Sequence, residues 1–87
     1  MIIELEEKLL EAIDQTVATA SDDELFAGGY LRGHISLSAA DCEAEGVQEV
    51  AEFKQRIQGS LEQARNELTP ADQVIVADMW QSLSIKI

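Results

Sequence analysis

Few side chains in this sequence have the means to do chemistry. They are one histidine, His34, one cysteine, Cys42, one tyrosine, Tyr30, one tryptophan, Trp80, and an arginine, Arg32, set among apolar neighbours. His34 shares a helical face with Asp41 and Glu45, seven and eleven residues further on. That is about two and three turns, too far for one ion to bridge unless a second element adds ligands. The Glu-x-x-His pattern of carboxylate di-iron bundles is absent, because Leu31 stands where the Glu is needed. A hydrogen-bonded or solvated imidazole is the expectation, with no metal and no cofactor.

Cys42 is flanked by Asp41 and Glu43 and has no base within a helical turn. Acids disfavour the thiolate, so Cys42 reads as a small core residue. No Gly-x-Ser-x-Gly elbow, phosphate loop or Cys-x-x-Cys pair occurs. With no nucleophile–base pair visible along the chain, the expectation is that the protein is not an enzyme.

Arg32 is the only basic residue between Lys8 and Lys54. A structural ion pair with Asp78 or Asp72 is the plain reading. The sharper one is a guanidinium offered to a partner's carboxylate or phosphate. Tyr30 and Trp80 fall on apolar stripes, where packing is the default. If they line an open cleft with Arg32, His34 and Asp78, that cleft is the candidate partner- or ligand-binding site.

Four helical segments must position these residues. The first runs from about Ile2 to Thr19, with Ile2, Leu5, Leu9, Ile13, Val17 and Ala20 at helical spacing. Ser21-Asp22-Asp23-Glu24 reads as a capping box that opens a second helix, to end near Glu45 with Gly46 as its stop. A third runs from about Val47 to Leu68, along Val50, Phe53, Ile57, Leu61, Ala64 and Leu68. Thr69-Pro70 starts the fourth, whose stripe is Val76, Met79, Trp80, Leu83 and Ile87. The fold class expected is all-α: a compact antiparallel four-helix arrangement, one acidic helical domain over residues 1–87.

The second helix carries two apolar stripes. Phe26, Tyr30, Gly33, Leu37, Ala40 and Ala44 form one; Leu31, Ile35, Ala39 and Cys42 form the other. A helix apolar on two sides is usually sandwiched. Helix two is therefore expected to be central, or to meet another copy of the chain along one stripe. Gly28, Gly29 and Gly33 cost a helix roughly 2–3 kcal/mol relative to alanine. Close approach of Trp80 or Phe53 over Gly29 and Gly33 is the expected offset.

Ser21-Asp22-Asp23-Glu24-Leu25-Phe26-Ala27, then Gly29-Tyr30-Leu31-Arg32-Gly33-His34, resembles the signature of the YfcL family of small bacterial proteins. Asp78-Met79-Trp80 is similar to that family's second short motif. The resemblance spans most of the chain and implies a bacterial cytoplasmic origin. It implies no particular activity.

Seventeen acidic against six basic side chains give a formal charge of −11. Nucleic acid and anionic membranes are bound through Lys and Arg, so neither is an expected partner. A basic protein surface is. Acids stand at the N-terminus where a secretory signal would carry positive charge, and no apolar run approaches the ~20 residues of a membrane span. One cysteine forms no internal disulfide. A cytoplasmic location follows as the expectation. Two functions remain in play. One is a non-enzymatic helical interaction module, adaptor or regulator; the other is a small-ligand or metal-binding protein using a cleft near Tyr30, Arg32 and His34. A homodimer is compatible with both.

Overall fold

Ser21 starts the longest element as its residue types dictate. Its Oγ accepts from the Glu24 N–H at 3.2 Å, and its own N–H donates to Glu24 Oε1 at 2.9 Å. Two backbone groups left over at a helix start are thereby satisfied. In the computed structural model, which describes residues 1–87, this helix, α2, covers Asp22–Glu45. Gly46 ends it in the left-handed region, φ 72°, where a β-carbon would be strained. The Val47 N–H then reaches Cys42 O at 2.9 Å and the Gly46 N–H reaches Glu43 O at 3.2 Å, closing a Schellman turn.

The other helices are α1 (Ile2–Thr16), α3 (Val50–Ala64) and α4 (Pro70–Ser84). Both α1 and α3 stop short of their expected ends and tighten into 3₁₀ turns, Val17–Thr19 and Arg65–Glu67. At α1 the reason is local. Thr16 Oγ1 donates to Ile13 O at 2.8 Å, competing with the helical ladder. Val17, expected on the apolar stripe, is left 51% exposed. The α3 end is closed from outside: Gln73 Nε2 in α4 donates to Arg65 O (2.9 Å) and Leu68 O (3.2 Å). Helix α3 also begins three residues later than expected, with Val47–Glu49 forming the connection. Thr69 caps α4, its hydroxyl accepting from the Asp72 N–H at 3.2 Å, and Pro70 takes the first helical position.

Helix α2 packs against α1, α3 and α4, so it is central, while α3 and α4 pack on α2 far more than on each other. Paired contacts fix the antiparallel run of α2 and α3: Tyr30 with Ala64, His34 with Ser60, Glu45 with Arg56. Leu31, Ile35, Ala39 and Cys42 face inward and are fully or almost fully buried. They meet Ile2, Leu9 and Ile13 of α1, Phe53 and Ile57 of α3, and Val76, Trp80 and Leu83 of α4 in one core. The radius of gyration, 12.5 Å, matches the ~12 Å of a compact chain this long.

Only one of the two α2 stripes is covered. Phe26 is 43% and Leu37 58% exposed, and Gly33, Ala40 and Ala44 are also exposed. The sandwich expected for α2 is thus a hub with its neighbours on one side. The glycine expectation is corrected too. A β-carbon on Gly29 or Gly33 would meet nothing within 4 Å, so neither Trp80 nor Phe53 sits over them. Gly28 is the tight position, where a β-carbon would lie 3.0 Å from Ile13 Cγ2. Glycine there lets α1 come close.

Candidate functional site

The five residues singled out from sequence do not share one place. Tyr30 and Trp80 share an open groove of about 580 Å³ where α3 and α4 diverge above α2. Leu61, Leu68 and Val76 line it with them, and half of its lining is polar or charged, Gln73, Glu62 and Arg65 included. Its volume lies within the range of ligand pockets. Tyr30 Oη donates to Ala64 O at 3.5 Å, a long bond. Burial pushes the Tyr30 phenol above its ordinary pKa, and the neighbouring Glu67 carboxylate adds to that. Trp80 is only 7% exposed, so its ring is mostly wall and core.

His34 lies beside Tyr30 on α2, ring centroids 4.7 Å apart, and Tyr30 in turn stacks on Phe26 at 6.0 Å. His34 Nδ1 and Ser60 Oγ are 2.6 Å apart. This is the nucleophile–base contact that the linear sequence did not disclose. Its members are 26 residues apart, and only the α2–α3 register brings them together. Ser60 sits inside α3, where the surrounding N–H groups are spent in the helical ladder. Acyl transfer would need such donors free to hold an oxyanion. The contact ties α2 to α3 through a part-buried polar pair.

Arg32 projects from the opposite side of α2 and corrects two expectations. Its Nη1 lies 2.6 Å from Asp14 Oδ1 and 3.5 Å from Leu10 O, so its partner is α1, neither Asp78 nor Asp72 of α4. At 100° per residue, Arg32 and His34 stand about 160° apart around the α2 axis. One cleft cannot hold Tyr30, Arg32 and His34 together. Asp78 is elsewhere again, exposed at a smaller hollow of about 380 Å³ that Ala12, Glu24 and Lys86 also border.

The most extensively paired charges were not singled out from sequence. Arg56 of α3 reaches Glu45 at the end of α2 with two hydrogen bonds, 2.6 and 2.7 Å, and Glu52 one turn back at 2.9 Å. The bidentate fork is the strong form of such a pair. It holds the Glu45 carboxyl below its ordinary pKa and raises that of Arg56. The Glu52–Arg56 spacing of four was the available signal. Cys42 lies below this cluster, fully buried. Burial pushes its thiol up; Arg56 opposes this, and Glu52, Glu45 and Asp41 reinforce it. The third arginine, Arg65, pairs with Glu62 at 2.9 Å.

No cluster of three or more His, Cys, Asp or Glu has the geometry to hold a metal ion. No helix is long and apolar enough to cross a membrane.

Fold and surfaces define a small, acidic, all-helical protein built around one long central helix. The chain belongs to the YfcL protein family, whose model matches residues 3–85. It is 46% identical over 85 residues to a protein of Escherichia coli (strain K12) described as uncharacterized protein YfcL, covering 95% of this chain and 92% of that one. No solved structure matches.

Proposed function

We propose that the protein is a non-enzymatic helical interaction module, an adaptor or regulator whose acidic surface meets a basic protein surface. One observation carries this reading. All three arginines are tied to acids of the same chain, Arg32 to Asp14, Arg56 to Glu45 and Glu52, and Arg65 to Glu62. With Lys8, Lys54 and Lys86 the only other side-chain cations against seventeen acids, the surface offers carboxylates almost alone. Such a field steers basic partners inward and weakens with salt. Capture from bacterial lysate on the immobilised chain tests it, with elution by rising salt. Recovery of basic proteins released by salt is expected. Recovery of nothing salt-sensitive overturns the reading.

The groove holding Tyr30 and Trp80 favours a second reading, a small ligand bound between α3 and α4. An apolar floor with a few convergent polar groups is the usual form of such sites. A thermal-shift screen of metabolites and divalent metals tests it. A stabilising compound must lose its effect in Tyr30→Ala; no shift across the panel removes the reading.

A further inference from the structure

The side of α2 turned away from the core carries Phe26, Gly29, Gly33, Leu37, Ala40 and Ala44 at alternating helical steps, with Tyr30 at its margin. All six are exposed. From Phe26 to Ala44 the strip is about 27 Å long at 1.5 Å per residue. Between Phe26 and Ala40 it bears no charge, on a chain of net charge −11, and Ser36 is its only polar side chain. Gly29 and Gly33 both weaken the helix relative to alanine, yet nothing in the chain lies within 4 Å of where their β-carbons would stand. Their lack of side chains leaves a shallow trough between the Phe26 and Leu37 knobs, open to another backbone.

Free acids stand at both ends of the strip. Asp22 and Asp23 lie at the N-terminal end, Asp41 and Glu43 at the C-terminal end, all exposed. Glu24 and Glu45 are committed to Ser21 and Arg56. This arrangement decides the occupant. A second copy laid antiparallel across Gly33 would set the acids of one end against those of the other. A parallel copy would set each acid against itself. Both place like charges together on chains already at −11, which is unfavourable. A helix with Lys or Arg at both ends of an apolar stripe meets the strip without that conflict.

We propose that the outer face of α2 is the docking strip for an amphipathic partner helix carrying basic residues at both ends of its apolar stripe. This rests on the interaction-module reading and makes it specific. The probe is a displayed library of helical peptides of about 18 residues, matched to the strip at 1.5 Å per residue. The library is selected on the full chain. Enriched peptides are expected to carry apolar residues at i, i+3 or i+4 and i+7, flanked by Lys or Arg. A synthesised winner should bind Leu37→Glu and Gly33→Leu at least about tenfold more weakly than wild type, a loss of roughly 1.4 kcal/mol. Circular dichroism melting must show both variants folded, with neither markedly less stable than wild type.

Winners that are basic without apolar periodicity, or that bind Leu37→Glu undiminished, overturn the strip and leave the broader reading standing. Absence of any winner also overturns it, whereas lysate capture judges the broader reading separately. Sedimentation supplies the last arm: a dimer that Leu37→Glu dissociates assigns the face to a second copy and overturns the partner helix.

Discussion

A β-carbon built on Gly28 would stand 3.0 Å from Ile13 Cγ2, while the same atom on Gly29 or Gly33 would touch nothing. Three glycines of one helix thus have opposite surroundings. Gly29→Ala and Gly33→Ala should each raise stability by about 0.5–1 kcal/mol, the ordinary gain in a helix interior. Gly28→Ala gains the same propensity but drives a methyl into α1, so its melting temperature should stay at or below that of wild type. Thermal melts of the three variants check the ordering.

The Ser21–Glu24 box links stability to pH. The Ser21 N–H and hydroxyl hold the Glu24 carboxyl below its ordinary pKa. A depressed folded-state pKa contributes stability above the unfolded value and loses it as pH falls through the folded one. Wild type should therefore exceed Glu24→Gln in stability at neutral pH, with the gap closing through the acid range below the usual glutamate pKa. Ser21→Ala should cost about 1 kcal/mol as a lost cap. Denaturant titrations across that range supply both numbers.

The core of the protein and the outer face of α2 should answer truncation very differently. Phe53→Ala removes a fully buried ring and should cost roughly 3–5 kcal/mol, and Ile35→Ala roughly 2–5. Leu37→Ala, on the exposed strip, should stay within about 0.5 kcal/mol of wild type. Urea unfolding midpoints separate the two classes.

Two polar ties yield smaller effects. Ser60→Ala frees His34 from its 2.6 Å contact and should cost about 0.5–1.5 kcal/mol. Arg32→Met breaks an ion pair whose side chains are 43% and 60% exposed, so the loss should be no more than about 1 kcal/mol. A larger loss for Arg32→Met in equilibrium unfolding would contradict the exposed Asp14 pairing.

Local signals were the legible ones. Ser21 with Glu24, Gly46, and Thr69 with Pro70 each set a helix boundary through contacts within a few residues, so the sequence displays them directly. The ends of α1 and α3 were less legible. Thr16 could continue the helix or turn its hydroxyl back on Ile13, and residue type does not choose between them. The two stripes of α2 show a deeper limit. Phe26 and Leu37 follow the same spacing as Leu31 and Ile35, and periodicity reports which residues share a face, not which face the rest of the chain covers. Arg32 likewise chose Asp14 over Asp72 or Asp78 because helix order around α2, a tertiary property, set which acid lay in reach. The proposed cleft failed for that reason, although Tyr30 and Trp80 do line one groove.

Because each of the other three helices packs chiefly on α2, the core of the chain depends on it. The amides of Leu31, Ile35 and Ala39 should then exchange with deuterium only through global unfolding. Those of α4, anchored mainly along one side, should open through smaller excursions. Whatever settles on α2 from outside would rest on the slowest-exchanging, most rigid part of the protein, and would lose little entropy in stiffening it.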